Sequence, residues 1–128
     1  MTVQARSLAQ LALEAYRAAG RSGDWSALVA LCADEFEFWF PAGAARGRHS
    51  GRAGRARFLE WIAHRASSRA EREVTLELYD GSWALYCLES RGRDARGAFE
   101  THVAVMFRCD GAQITGFREY IGDIEAWL

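Results

Sequence analysis

The chain has 128 residues, half of them hydrophobic and 26% charged, with a single proline. That is enough for one domain with a real core, spanning 1–128, and too little for two; it is also too apolar for a disordered chain. The formal charge is −1 and every basic residue other than histidine is an arginine, which gives no footing for nucleic acid or an anionic membrane surface.

Residues from about Val3 to Ala19 read as a helix, with Leu8, Leu11, Ala12, Ala15 and Ala19 in a stripe at helical spacing. Tyr16 sits at the edge of that stripe. It is either a core-edge tyrosine with a wet hydroxyl or a hydroxyl pointed into a pocket. Gly20 to Gly23 breaks the helix, and Asp24 is placed to cap a second one carrying Trp25, Leu28, Val29, Leu31 and Cys32. Phe36 to Phe40 is an aromatic strand closed by Pro41. Phe36, Phe38 and Phe40 share one face. Glu37 and Trp39 share the other, and a tryptophan on an outer face suggests a covered surface such as a homodimer contact.

Ala42 to Arg57 is rich in Gly, Ala and Arg and reads as a loop passing into a third helix, with Phe58, Trp61, Ile62 and Arg65 on one face. Its arginines, Arg46, Arg48, Arg52, Arg55 and Arg57, read as a solvated face in preference to an anion site. His49 and His64 lack metal-ligand spacing and carboxylate neighbours, so no metal is expected. Nothing calls for a cofactor. Cys32, Cys87 and Cys109 form no CxxC pair and suit buried free thiols in a reducing cytoplasm. No apolar run reaches transmembrane length, and the start lacks a basic segment followed by a hydrophobic one.

From Glu73 the chain turns to strands. Val74, Leu76 and Leu78 alternate with Glu73, Thr75, Glu77 and Tyr79, then Asp80-Gly81 makes a hairpin turn into a strand from Trp83 to Ser90. Arg91 to Gly97 reads as a longer polar loop. Phe99 to Cys109 and Gln113 to Ile121 flank a second turn at Asp110-Gly111. In the first of these runs Phe99, Thr101, Val103, Val105 and Phe107 fall on one face, and Glu100, His102, Ala104, Met106 and Arg108 on the other. In the second, Thr115, Phe117, Glu119 and Ile121 share a face. A carboxylate in that company must neutralise, find a partner or serve a function. Glu119 is therefore the first candidate for a site, either as an acid or base in an apolar pocket or as an ion pair with Arg118 or Arg65. His102 faces outward unless a bulge shifts the register, in which case it would enter the pocket as a base. Gly122 to Leu128 reads as one helical turn capped by Asp123. The whole is α+β: a curved, mostly antiparallel sheet packed on three N-terminal helices.

Two stretches carry a resemblance. One runs from Tyr16-Arg17-Ala18-Ala19 through Gly23-Asp24-Trp25-Ser26-Ala27-Leu28 to Leu31-Cys32-Ala33-Asp34-Glu35-Phe36. The other is Phe107-Arg108-Cys109-Asp110-Gly111 with Ile114 and Arg118-Glu119-Tyr120. Together they resemble the NTF2-like superfamily, in particular its SnoaL-like and ketosteroid-isomerase-like members, over essentially the whole chain. The resemblance implies a cone-shaped domain in which the sheet and the helices enclose an apolar pocket. It also puts Tyr16 at the oxyanion tyrosine of ketosteroid isomerases. Their general base falls near Phe40 and their second oxyanion donor near Val105, so two of three roles are missing. SnoaL-type cyclases use an acid from the end of the sheet, for which the nearest residues are Glu119 and Asp123, Gly122 standing at the usual position. The resulting expectation is acid–base chemistry next to a carbonyl, with Glu119, Tyr16, His102 and Asp123 as catalytic candidates. Phe36, Phe38, Phe40, Val103, Val105 and Phe117 would line the pocket around a small apolar or aromatic ligand. The alternative is a binding or dimerisation domain without catalysis. An isolated carboxylate beside Tyr16 would favour an enzyme; a carboxylate shared with an arginine would favour binding.

Overall fold

In the computed structural model, which describes residues 1–122, three helices and six strands alternate in the order α1, α2, β1, β2, α3, β3 to β6. Helix α1 (Val3–Ser22) is capped by Thr2, whose hydroxyl oxygen accepts from the Ala5 amide at 3.1 Å, and ends where Gly23 turns left-handed at φ 79°. Its buried stripe is Ala9, Ala12, Leu13, Tyr16, Ala19 and Gly20, while Leu11 is exposed. The stripe is thus rotated from the one the leucines suggest, and Tyr16 lies within it. The small residues let α1 come close to the sheet, and bulky Leu11 is left outside. The short helix α2 (Ser26–Leu31) follows an Asp24 carboxylate that accepts from the Ser26 amide at 3.0 Å.

Strand β1 (Cys32–Phe40) is longer than its aromatic run. After a 3-10 turn at Gly43–Ala45 come β2 (Gly47–His49) and α3 (Gly51–Arg65). The later part of the Arg- and Ala-rich stretch expected as loop, from Gly51 on, is therefore helix, in keeping with the high helix propensity of both residues. Gly54 permits the packing of α3: a Cβ there would stand 1.8 Å from the Phe36 carbonyl and 2.6 Å from that of His49. Arg48, Arg55 and Arg57 do not converge. They go respectively to Glu37, to the Cys32 and Ala33 carbonyls, and to Glu60.

The remaining strands are β3 (Arg69–Asp80), β4 (Trp83–Asp94), β5 (Gly97–Asp110) and β6 (Gln113–Gly122). One sheet runs in the order β2-β1-β6-β5-β4-β3, antiparallel throughout except for β1 beside β6. The polar stretch from Arg91 to Gly97 is mostly strand. Arg91 pairs with Glu100 across β4 and β5 at 2.8 Å, and only Ala95 and Arg96 turn the corner. A register shift between Val74 and Leu76 changes which residues of β3 face the core. Val74 stays on the inner side with Leu88. Leu76 and Leu78 move to the outer side, 48% and 54% exposed, while Tyr79 packs against the core. A second shift, between Arg108 and Cys109, buries Ile114 and leaves Thr115 bonding Arg108.

The core is aromatic. Phe36, Phe38, Phe58, Trp61 and Phe117 pack with ring centroids 4.9 to 6.2 Å apart, and Tyr16, Trp25 and Phe107 extend the cluster. Cys32 and Cys109 are buried free thiols, pushed up by burial to about 12 and about 11; Cys87 is free and half-buried. Among the described residues no helix is long and apolar enough to cross a membrane.

Candidate functional site

The inner face of β6 carries Glu119 directly opposite Val105 of β5, fully buried. Two elements reach it. From α1 the Tyr16 hydroxyl donates to Oε2 at 2.6 Å, and from the last turn of α3 the Arg65 Nη1 donates to Oε1 at 2.7 Å. Both carboxylate oxygens are engaged, one by an ion pair. Burial first, and the Glu119 carboxylate next, push the Tyr16 phenol far above its ordinary range, while Arg72 and Arg65 pull it partway back. Burial works against the charge on Arg65, but Glu119 and Tyr16 outweigh it and hold the guanidinium above its ordinary range. Arg65 also lies over the Trp61 ring at 4.8 Å. Glu119 is thus held as an ion pair with Arg65, and Arg118 is drawn to Glu37 on the other face of the sheet.

A cavity of about 680 Å³ opens beside this group. Its inner wall includes Arg65, Arg72, Ser90, Trp25, Thr101 and Val103. Phe99 and Ile121 add apolar surface, and Asp94, Arg96 and Glu100 also border it. Glu119 and Tyr16 do not line it, whereas the arginines that touch them do. Arg72, Ser90 and Thr101 form a cross-strand row over β3, β4 and β5 on the inner face. Neighbours in such a row have Cβ atoms about 5 Å apart.

Three side chains here have buried polar atoms without a partner among the described residues: Arg72 Nε and Nη1, Ser90 Oγ and Trp25 Nε1. The residues are 4%, 1% and 4% exposed. The Arg72 guanidinium lies over the Tyr16 ring at 4.5 Å and against Gly20 of α1, where a Cβ would stand 2.1 Å from Nη1. Trp25 meets the same tyrosine edge-on at 5.8 Å. Nearby carboxylates are taken: Glu119 by Arg65, Asp94 by Arg96 and Glu100 by Arg91. Among the described residues no carboxylate pairs with the Arg72 guanidinium, and a buried charge costs several kcal/mol if nothing meets it.

The profile of the SnoaL-like domain family matches residues 13–117. The chain belongs to this family, within the NTF2-like superfamily. No curated protein matches its sequence. Among solved structures it is similar to an NTF2-like protein from Anabaena variabilis, with a TM-score of 0.80 at 20% identity over 96% of this chain and 95% of that one. It is also similar to an NTF2-like protein from Burkholderia pseudomallei, with a TM-score of 0.75 at 13% identity over 98% and 95% of the two chains. A third is a protein of ketosteroid-isomerase-like fold from Catenulispora acidiphila in complex with trimethylamine: TM-score 0.65, 20% identity, 85% and 83% covered. At these identities the likeness shows the fold.

In this SnoaL-like domain the residues expected to line the pocket divide. Val103 lines the cavity. Phe36, Phe38, Val105 and Phe117 are sealed in the aromatic core, where Phe58 and Trp61 of α3 fill the space between them. Phe40 borders a separate hollow of about 300 Å³ beside Ala42–Ala45, Trp61 and His64. The cavity is therefore not the apolar cone expected from the aromatic strand, since Arg65, Arg72, Asp94, Arg96 and Glu100 border it beside Phe99, Val103 and Ile121. Tyr16 and Glu119 meet. His102 does not join them; it is exposed on the outer face, opposite Glu89 and Gly122. Asp123 and the turn it was expected to cap lie outside the described residues.

Sequence reasoning passed over Arg72, Ser90 and Trp25. The signal for the first two is the parity that exposes Glu119. Arg72 is in phase with Ala70 and Val74, and Ser90 with Ala84, Tyr86 and Leu88. A polar residue in phase with core residues carries the same cost as Glu119 does.

Proposed function

We propose that this SnoaL-like domain binds a small organic ligand in the cavity walled by Arg72, Ser90 and Trp25, and that Glu119 fixes the structure around it without abstracting a proton. The observation that carries the reading is the double engagement of Glu119, by Tyr16 at 2.6 Å and Arg65 at 2.7 Å. A cyclase or isomerase of the expected kind needs a carboxylate free to take a proton and a phenol free to meet the enolate. Here each satisfies the other, and neither lines the cavity. The Catenulispora acidiphila protein in complex with trimethylamine supports the reading to the extent that a related fold takes a small guest. The free thiols support a reducing compartment, the cytoplasm.

The test is proton exchange at carbon. 2-Tetralone, a ketone with labile α-protons, is incubated with the protein in deuterium oxide and followed by proton NMR. The expected exchange rate equals that of buffer alone. Exchange above buffer that disappears in Glu119→Gln would restore the general base and sink the reading.

The outer face supports a second element, pairing with another copy of the chain. Leu76, Cys87, Ala104 and Tyr120 lie in one row and Leu78, Leu85 and Met106 in the next, with Trp39 stacked on Tyr120 at 4.5 Å. The second row ends on Arg118, ion-paired with Glu37, and an apolar face with such a charged edge suits an interface. Sedimentation equilibrium should give a dimer that Leu78→Arg converts to monomer, and a monomeric parent chain would end the idea.

A further inference from the structure

We infer that two copies of the chain are held in one register by charge: the corner where Arg48, Arg108 and Arg118 gather on Glu37 in one copy receives Glu73 and Glu89 of the other. The inference rests on the pairing of copies proposed above and names what orients it.

The arginine corner is built within the chain. Glu37, on the outer side of β1, accepts from Arg108 Nη1 at 2.9 Å and from Arg118 Nη2 at 2.7 Å, and Arg48 Nε stands 3.2 Å from the same carboxylate. Thr115 holds Arg108 further, its hydroxyl accepting from Nε and its carbonyl from Nη2, each at 3.0 Å. Arg108 and Arg118 both lie over the Trp83 ring, at 5.5 and 4.9 Å. Gly116 gives that ring room, since a Cβ there would stand 3.0 Å from its Cη2. Arg108 and Arg118 are thus fixed before a partner arrives, which spares the cost of ordering long side chains on contact. Three guanidinium groups meet one carboxylate, so two positive charges are left over. Each guanidinium has five N–H donors, more than these bonds use.

The opposite excess lies at the far end of the same face. Glu73 and Glu89 stand directly opposite each other on β3 and β4, both exposed, in the row beyond Leu76 and Cys87. Like charges so placed repel. Arg91, the next residue on that face of β4, is taken by Glu100. Two unmet carboxylates therefore balance the two unmet positive charges, with apolar residues between them. In a two-fold contact each end of one copy meets the other end of its partner, so the balance closes twice. A pairing that left the ends unexchanged would set arginine against arginine and glutamate against glutamate. Exposed ion pairs add little affinity each. Here they select the register, while Leu78, Leu85 and Met106 supply the association.

Sedimentation equilibrium of the full chain tests this by charge reversal. Glu89 is exposed and the Arg48 side chain is 62% exposed, so both can be changed without touching the core. Glu89→Arg and Arg48→Glu should each raise the dimer dissociation constant roughly tenfold, and the chain carrying both should recover most of that loss. Three strands separate β2 from β4, so recovery can arise only between copies. Losses that add without recovery, or a dimer indifferent to both reversals, overturn the register. Should a variant not fold, the salt dependence of the parent chain decides. Raising sodium chloride from about 50 mM to about 500 mM should weaken the dimer severalfold, and an unchanged or tighter dimer overturns the charge pairing. A monomeric parent chain overturns the pairing of copies along with its register, whereas a dimer that ignores charge overturns the register alone.

Discussion

Two buried polar groups share the ring of Tyr16 and differ in how they are met. On the hydroxyl side, Glu119 accepts from Tyr16 and Arg65 and is closed. On the face, Arg72 lies over the same ring with Nε and Nη1 unmet among the described residues. The parity of a strand marks both as out of place in a core. Burial alone does not separate a structural group from a binding one; whether its hydrogen bonds are met within the chain does.

The comparison breaks most easily at the closed group. Glu119→Ala would leave Arg65 without its anion and Tyr16 without its acceptor, and should cost about 4 kcal/mol in chemical unfolding. A loss below about 1 kcal/mol would mean the pair is not holding the fold. Next comes Gly20→Ala. In an ordinary helix this change stabilises by up to about 1 kcal/mol. Here the new methyl would meet Arg72 Nη1 at 2.1 Å and the Ala70 carbonyl at 2.9 Å, so a loss of about 2 kcal/mol is expected with displacement of the guanidinium. A gain in stability would show that Arg72 does not rest there.

Alkaline titration sharpens the closed side. Burial pushes Tyr16 and Tyr86 above the ordinary phenol range. In the unfolded chain both lose their protons near pH 10, while in the fold they keep them, so the native state binds more protons and stability falls as pH rises past that point. The slope should reach about 1.4 kcal/mol per pH unit for each phenol. Tyr16→Phe should remove one share of it; an unchanged slope would contradict the burial argument. The smallest effect is expected at His102, exposed on the outer face. His102→Ala should move stability in chemical unfolding by no more than about 0.5 kcal/mol.

Much of the fold can be read from the chain because local signals agree with it. Asp80-Gly81 and Asp110-Gly111 are turns, and the strict alternation from Phe99 to Cys109 survives into β5 with Val103, Val105 and Phe107 inward. Thr75 is the counterexample. The bulge beside it turns Leu76 and Leu78 outward, and no residue type there announces an extra position. The site is half legible for a related reason. Glu119 declares itself against Phe117, but its bond to Arg65 depends on how close α3 comes to β6. Arg72 stays hidden because the acidic alternation beginning at Glu73 looks like the start of the strand, whereas β3 begins at Arg69. The pocket lining is misread because alternation tells which face Phe36 and Phe38 take, but not that Phe58 and Trp61 will fill the space before them.

The most direct test of the contrast between the two groups is the unfolding free energy of Arg72→Met without any ligand. A guanidinium kept for a guest burdens the empty fold, so replacing it with an apolar side chain of similar length should leave stability unchanged or raise it by about 1 kcal/mol. A loss comparable to that of Glu119→Ala would contradict the account, because it would make Arg72 as much a part of the scaffold as the closed pair beside it.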